Sequence, residues 1–570
     1  MKPICTVGDS DNHHSQTPTE SHGFRVLRRC YNSLLWLTSV KLQHCVTNMV
    51  STSISDFPYD VCEYISHHLS DADLSALRTF NRAFNDLTML RSYRQITLRA
   101  HWTVLHRTGI GELTGFSLLS RPFSYHHLDD FLSGSSPIKR YVRSLQLVFA
   151  YDADGKDSRM RLKSRGGQPS EPGVSIRLNR ITSLFSHFAQ LEEFTVTVDR
   201  APVGLKLPPQ ILTKDDEQLF RPVLRPLLPD GLLSLATVSN IRALTVCIPS
   251  KAWTFVFAPS LHLTRLEKLV IHFDRISHPG FDATSLNANI LFPFVRRHSD
   301  TLRTLKLIRP YNAFYTRFPF LPVLTEIEIE EPYTRLPPTQ AQLHEFLQRH
   351  SNTITRISWR SCGQSDQIGV GRTAWFDFRH HSSIPFPHLR DLELKNLNGL
   401  SEGLRPPVEE IGLLLGGYTG TLTRLCLGDY WLDSEPFNLI LDAIASPILQ
   451  VLEICPIHLQ SGMFSSMAQK LPALQILRIV YDGLYPSALP IGYDNIYLLA
   501  LRTAHDDLSP PALLFQQEMK SLHVSEWNIR ELTLDTNNER TFSWDVNRAI
   551  ARTFPSLFII NGIPVEEYFY

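Results

Sequence analysis

The stretch Arg297-His298-Ser299-Asp300-Thr301-Leu302 matches the stretch Arg349-His350-Ser351-Asn352-Thr353-Ile354 almost letter for letter. Apolar residues at helical spacing precede both copies. They are Leu291, Phe294 and Val295 before the first copy, and Leu343, Phe346 and Leu347 before the second. An alternating apolar pattern, typical of a strand, begins at the last residue of each copy. The two copies therefore predict a repeat made of a helix, a short polar loop and a strand.

The strand part of this repeat recurs along most of the chain. Its pattern is an apolar residue, two variable residues, an apolar residue, one variable residue and an apolar residue. Thirteen copies begin at Val142, Leu191, Ile241, Leu266, Leu302, Leu324, Ile354, Leu389, Leu422, Leu449, Leu474, Ile496 and Ile529. Most successive starts differ by a leucine-rich-repeat period or somewhat more.

Repeats of this kind predict an α/β solenoid with a parallel inner sheet and outer helices, because each short strand buries its apolar face only by stacking on its neighbours. We expect the solenoid to cover residues 141–570, with insertions near 150–175 and 202–230. The first insertion is charged and the second is rich in proline. The irregular period leaves a generic α/β sheet as the alternative.

Composition excludes several classes of protein. The chain has 570 residues, of which 43% are hydrophobic and 20% are charged, and 56 Lys and Arg balance 56 Asp and Glu. This balance argues against wholesale binding to nucleic acid or to an anionic membrane. No apolar run is long enough for a transmembrane helix. Eight scattered cysteines without a C-x-x-C pair predict a reduced intracellular protein, cytoplasmic or nuclear.

The region before the repeats divides into three parts. Residues 1–53 are predicted to form a disordered or partly helical arm. Residues 54–98 predict three short helices, in which Ser70 and Asp73 resemble a capping box at the second helix. Residues 99–140 are expected to link this bundle to the repeats. A core of this size is small for an independent domain, so we expect it to be stabilised by a neighbouring region or by a partner.

Residues 56–98 resemble an F-box. The family opens with Leu-Pro, and here Phe57-Pro58 precedes the first helix. Asp73-Leu74 matches the Asp-Leu that comes next in the family. Asn81-Arg82-Ala83-Phe84 matches its third segment, and Tyr93-Arg94 matches the Tyr-Arg that often closes it. Together with the repeats, this resembles the fungal F-box proteins that carry irregular leucine-rich repeats.

The resemblance implies a non-catalytic subunit of an SCF-type (cullin–RING) ubiquitin ligase. The F-box of such a subunit docks the Skp-type adaptor, and the repeats bind a substrate protein. The matching adaptor-binding positions are Phe57, Pro58, Val61, Ile65, Leu74, Leu77, Phe80 and Phe84. The alternative for any one of these residues is that it only packs the bundle. A leucine-rich-repeat scaffold with a degenerate F-box and no ligase role is the rival function.

Strand side chains alternate, so the variable residues between the apolar positions are expected on a concave, exposed face. They include pairs such as Arg356 with Ser358 and Arg424 with Cys426. The predicted substrate-binding residues are Lys306, Glu326, Glu328, Arg356, Asp391, Glu393 and Arg424. The alternative is that opposite charges on neighbouring strands neutralise one another.

No catalytic signature stands out. The chain lacks a phosphate-binding loop, a nucleophile elbow and a zinc-protease helix motif. The glycine-rich stretch Gly416–Gly420 follows a helical pattern and predicts a helix C-terminus rather than a phosphate cradle. We therefore expect no cofactor, no metal and no enzymatic activity. An enzyme, or a regulator of one, built on leucine-rich repeats is a third possibility.

Overall fold

The structure is a computed structural model. It describes residues 59–67, 69–78, 82–104, 111–119, 137–152, 188, 190–199, 240–248, 252–273, 286–310, 312–332, 340–362, 381–395, 407–484, 510–522, 524, 526–536 and 544–569. The chain divides into two compact units. The first comprises Met1–Thr97 and Leu118–Arg143, and the second comprises Leu98–Ser117 and Ser144–Tyr570.

Three short helices make up the described centre of the first unit: α1 (Tyr59–His67), α2 (Asp71–Leu77) and α3 (Arg82–Tyr93). Ser70 caps α2, since its Oγ accepts the backbone N–H of Asp73 at 3.2 Å and donates to the Asp73 carboxylate at 2.7 Å. The bond to the Asp73 amide is the N-cap half of the predicted capping box, whereas the Asp73 carboxylate binds the Ser70 hydroxyl rather than the Ser70 amide. The predicted three-helix order is confirmed, whereas the arm at residues 1–53 lies outside the described residues.

Polar contacts tie these helices together around their apolar core. Arg91 on α3 donates to the carbonyl oxygen of Leu69 at 2.8 Å and forms an ion pair with Asp71 at the same distance. The buried hydroxyl of Thr88 donates to the Phe84 carbonyl oxygen at 2.6 Å and lies 3.2 Å from that of Leu74. The loop between α1 and α2 is therefore fixed to α3 by hydrogen bonds as well as by burial.

One sixteen-stranded sheet dominates the fold. Its strands are β1 (Gln95–Val104), β2 (Gly111–Leu119), β3 (Ser144–Asp152), β4 (Glu193–Asp199), β5 (Ala243–Cys247), β6 (Lys268–His272), β7 (Thr304–Ile308), β8 (Glu326–Pro332), β9 (Arg356–Cys362), β10 (Asp391–Lys395), β11 (Arg424–Leu432), β12 (Val451–Pro456), β14 (Ile476–Tyr481), β16 (Glu531–Thr536), β17 (Ile559–Ile560) and β18 (Ile563–Pro564). Their order in the sheet is β18-β17-β16-β14-β12-β11-β10-β9-β8-β7-β6-β5-β4-β3-β1-β2, and every described pairing from β3 to β17 is parallel. A separate two-stranded sheet pairs β13 (His458–Leu459) with β15 (Gly483–Leu484).

Helices follow many of these strands. They are α4 (Trp253–Val256), α5 (Phe292–Arg297), α6 (Gln340–His350), α7 (Val408–Gly416), α8 (Ser434–Ala443), α9 (Ser461–Lys470), α10 (Pro510–Ser521) and α11 (Trp544–Thr553). The chain is therefore mixed α/β with a long parallel sheet, which is consistent with a leucine-rich-repeat-like solenoid. Gly416 ends α7 and Gly417 follows it as the C-cap, so the glycine-rich stretch closes a helix, as predicted.

Twelve of the thirteen predicted strand patterns coincide with strands of this sheet, and the copy at Ile496 lies outside the described residues. Their apolar positions are almost completely buried, as Leu305, Ile327 and Leu425 illustrate. The interval 99–140, predicted to be a linker, instead contributes most of β1 and all of β2 to the sheet. The two predicted insertions fall largely outside the described residues.

The chain enters successive strands by two kinds of connection. Before β6, β8 and β10 it makes a short turn in which the strand-entry amide bonds to the carbonyl three residues back, as Leu324 bonds to Leu321. Before β7, β9 and β11 it makes a longer loop, in which two backbone amides donate to the same carbonyl oxygen. Thr353 and Ile354, for example, both donate to the carbonyl oxygen of His350. The two kinds alternate strictly over these six strands.

The longer loops carry a buried histidine in two of their three copies, and each histidine binds the preceding short turn. His350 Nδ1 donates to the Phe346 carbonyl oxygen at 2.8 Å, and its Nε2 accepts the backbone N–H of Leu321 at 3.1 Å. His298 makes the same two bonds to Phe294 and Leu263, at 2.8 and 3.0 Å. We call each arrangement a histidine clamp.

Tyr418 takes the place of the histidine in the third copy of this loop, and its hydroxyl donates to the Ile384 carbonyl oxygen at 2.9 Å. In all three copies a ring from the longer loop therefore bonds to the backbone that leads into the preceding strand. The matching stretches that start at Arg297 and Arg349 thus serve to bind each repeat to the one before it.

The last part of the sheet ends in a small cap formed by α11, β17, β18 and a 3₁₀ helix at Val565–Phe569. Asn561 and Gly562 turn the chain between β17 and β18 with φ values of 51° and 77°. The side-chain oxygen of Asn561 accepts the backbone N–H of Leu534 at 2.7 Å, which compensates for its left-handed backbone. This bond fixes the cap to β16.

Candidate functional site

The first candidate surface lies on the three-helix bundle. The core of the bundle consists of Cys62, Ile65, Leu74, Leu77, Phe84 and Leu87, each at most 7% exposed. Four of the predicted adaptor-binding residues, Ile65, Leu74, Leu77 and Phe84, thus lie inside the bundle, and Val61 packs against the core. Phe57, Pro58 and Phe80 lie outside the described residues.

Burial assigns Leu74, Leu77 and Phe84 a packing role first, because a side chain that is 2% exposed offers a partner almost no surface. Ile65 is 7% exposed, and Val61 is only partly buried. The apolar rings that α1 does present to solvent are Tyr59 and Tyr64, which are 49% and 52% exposed. Sequence reasoning missed both, although they lie on the helix that the F-box resemblance had singled out. Adaptor contact by any bundle residue stays a prediction.

The second candidate surface is the sheet face that carries the variable strand residues, which we call the charged face. Asp391 on β10 stands directly between Arg356 on β9 and Arg424 on β11. Its Oδ2 lies 3.4 Å from Arg356 Nε and 3.0 Å from Arg424 Nη1. One carboxylate therefore bridges two cations from the neighbouring strands.

Glu393 forms a second centre on the same face. Its carboxylate lies 3.4 Å from Arg356 and 2.9 Å from Lys395, and its side chain is only 8% exposed. Burial raises the pKa of Glu393, but the hydrogen bond from Lys395 and the nearby cationic charges outweigh burial, so the pKa lies below its usual value. Glu393 is therefore held ionised by its partners.

The remaining predicted residues of the charged face are paired as well. Lys306 forms an ion pair with Glu328, its direct neighbour across β7 and β8. Glu326 accepts a hydrogen bond from the Thr304 hydroxyl at 3.4 Å. Six of the seven predicted residues thus pair with an opposite charge on the same face, which is the alternative that their sequence allowed, whereas Glu326 meets only a neutral hydroxyl. Since a ligand would have to displace or desolvate these pairs, charge alone does not equip this face to bind.

Two details of the charged face differ from the sequence prediction. Ser358 and Cys426, expected to be exposed by strand alternation, are buried at 4% and 1% exposure. They are short side chains between the long charged ones of neighbouring strands. Burial raises the pKa of the Cys426 thiol, so this thiol is protonated at neutral pH.

Lys395 is the member of the charged face that sequence reasoning missed. The same alternation that selected Glu393 places Lys395 two residues later on the same face. Gly428 makes room for it, because a Cβ on Gly428 would lie 3.0 Å from Lys395 Cγ. The glycine in β11 and the lysine in β10 therefore fit each other across the strands.

The structure offers no centre for metal chemistry within the part of the chain that it describes, since no group of three or more His, Cys, Asp or Glu residues there is placed to hold an ion. Among the same residues, no helix combines the length and apolar character needed to cross a membrane.

Two of three comparisons with known proteins found no match, and the third found solved structures of low similarity. No family model matches the chain, and no curated protein matches it. Among solved structures, the crystal structure of the yeast Rad7 and Elc1 complex matches at 16% identity, covering 55% of this chain and 76% of the other, with a TM-score of 0.28. The leucine-rich-repeat-containing protein LegL7 from Legionella pneumophila matches at 13% identity, covering 51% and 94%, with a TM-score of 0.27. Both TM-scores are too low to carry an argument about fold or function.

Proposed function

We propose that this chain is a non-catalytic substrate receptor of an SCF-type ubiquitin ligase. Its bundle docks a Skp-type adaptor, and its repeats bind a protein substrate. The observation that supports this proposal most is the bundle itself: three short helices in F-box order, within a compact unit separate from most of the sheet. The cullin partner and the absence of catalysis belong to the same proposal.

The docking surface of the bundle is proposed to include the exposed rings of Tyr59 and Tyr64 on α1. Exposed aromatic rings on a small domain are typical of contact sites, because they offer large apolar area with few rotatable bonds. Ile65, Leu74, Leu77 and Phe84 would then act indirectly, by holding α1 in position from the core.

The test is a pull-down of the full chain with a purified Skp-type adaptor. We expect the wild type to bind and a Tyr59→Asp, Tyr64→Asp double variant to lose binding while its circular dichroism spectrum is unchanged. The matched control is Leu413→Asp, because Leu413 on α7 is apolar and 61% exposed but lies in the other unit. It should bind like the wild type.

Leu77→Asp serves as a folding control. Leu77 is 2% exposed, so a carboxylate there disrupts the bundle core whether or not the residue touches an adaptor. Limited proteolysis should show the bundle opening in this variant. Failure of the wild type to bind would refute the receptor proposal and leave the rival, an interaction scaffold with a degenerate F-box.

A further inference from the structure

The cap at residues 544–569 exposes an unusual concentration of apolar surface. Phe558 is 67% exposed, Phe569 47%, Trp544 44% and Ile559 37%. Soluble proteins rarely gather large exposed apolar side chains in one place, because such a patch promotes association. Apolar side chains gathered on one element at the edge of the sheet therefore mark an interaction surface.

Contacts inside the cap hold these residues on one small structure. The Trp544 ring centroid lies 4.4 Å from that of Tyr568, whose hydroxyl donates to the Ile560 carbonyl oxygen at 3.3 Å. The Val565 amide donates to the Phe558 carbonyl oxygen at 2.8 Å, so the 3₁₀ helix is attached to the start of β17. The Arg552 guanidinium lies 5.8 Å from the centre of the Phe569 ring. The exposed residues thus belong to elements packed directly on one another.

We propose that this cap is a self-association surface, through which two copies of the chain form a symmetric dimer. The charges around the apolar residues favour a second copy as the occupant. Glu566 and Glu567 are exposed acids, and Arg530 and Arg552 are exposed bases; none of the four forms an ion pair within the described part of the chain. A two-fold interface brings the acids of one copy to the bases of the other.

The available area fits a dimer. With large apolar side chains of about 150–250 Å² each, the exposed fractions leave roughly 300–500 Å² of apolar surface on one cap. Since about 57% of a typical interface is apolar, this corresponds to roughly 1,000–1,700 Å² buried in total, which reaches the minimum for a specific interface and extends into the standard range.

The edge of the sheet argues against association by strand addition. β18 has only two residues, and one of them is Pro564, which has no N–H to donate. Contact between copies is therefore made by the side chains of the cap. This inference does not depend on adaptor binding by the bundle.

Sedimentation equilibrium of the full chain over a micromolar concentration range tests the proposal. We expect a monomer–dimer equilibrium for the wild type, weakened by added salt because it includes charge pairs. Phe558→Asp should raise the dissociation constant by about tenfold or more, since exposed aromatic anchors carry much of the binding energy of an interface. Phe569→Asp should act in the same direction, and thermal melts should show both variants folded.

Leu413→Asp is the matched control, because it changes an equally exposed apolar residue outside the cap and should leave the equilibrium unchanged. A wild type that sediments as a monomer throughout the range would overturn the proposal. A dimer that persists unchanged in both Phe558→Asp and Phe569→Asp would also overturn it, by placing the contact elsewhere.

Discussion

Replacing His350 with leucine removes one histidine clamp while keeping an apolar side chain at the site. His350 is 1% exposed, and both of its ring nitrogens are bonded to backbone groups. The substitution leaves the Leu321 N–H without its partner and takes one donor from the Phe346 carbonyl. The first effect costs ~1–3 kcal/mol and the second ~0.5–1.5 kcal/mol. We therefore expect the free energy of unfolding to fall by about 1.5–4.5 kcal/mol at neutral pH.

The clamp also predicts how this difference changes with pH. Burial lowers the pKa of His350 from its ordinary 6.5 to about 4, although the hydrogen bond to the Phe346 carbonyl acts in the opposite direction. The folded-state pKa lies below the unfolded one, so the contribution to stability is complete above pH ~6.5 and is lost as the pH falls towards 4. At pH ~5 the wild type has lost ~2 kcal/mol through this residue, a loss that the leucine variant cannot show.

The assay is urea unfolding followed by tryptophan fluorescence at neutral pH and at pH ~5, with amide exchange of the segment around Leu321 as a local readout. The stability gap between wild type and His350→Leu should shrink in acid, and Leu321 should lose protection in the variant. His388→Leu, at an exposed histidine before β10, is the control and should match the wild type. A gap that is absent, or that grows in acid, would refute the reasoning.

Two further substitutions test contacts between neighbouring repeats. Gly428→Val should force Lys395 out of its position and destabilise the fold by about 1–3 kcal/mol in thermal unfolding; Gly420→Val, where no atom lies within 4 Å of the added Cβ, should cost less, and equal costs would contradict the fit. Tyr418→Phe removes the buried hydrogen bond to the Ile384 carbonyl and should lower the free energy of unfolding by ~1 kcal/mol in urea; no change would show that the bond contributes nothing.

The strands were the most predictable feature, because burying every second residue leaves a direct trace in the sequence. Leu302, Leu305 and Leu307 show that trace in one repeat, and all three are completely buried. The hairpin of β17 and β18 left no such trace in the sequence, since an alternating apolar pattern cannot be recognised in strands of two residues. Alternation also fails for Cys426, because neighbouring long side chains on the same face can cover a short one.

The candidate sites were less predictable, for a different reason. The spacing of Ile65, Leu74, Leu77 and Phe84 predicts helices with apolar faces, but it does not say whether such a face meets the bundle or a partner. The structure places these four inside. Similarly, the residues of the charged face could be identified from the sequence, whereas the pairing of Asp391 with both Arg356 and Arg424 depends on the register of three strands.

The strict alternation of connections from β6 to β11 has a consequence for how such a chain can change in length. The ring of each clamp binds the short turn before the preceding strand. One strand with its connection therefore does not contain both halves of the contact, and two consecutive strands are needed. Duplication of a single strand with its connection would place two connections of the same kind next to each other. Either a clamp histidine or a short-turn amide would then lack its hydrogen-bond partner. Between β6 and β11, the solenoid is therefore expected to tolerate insertion or deletion of two strands at a time better than of one strand.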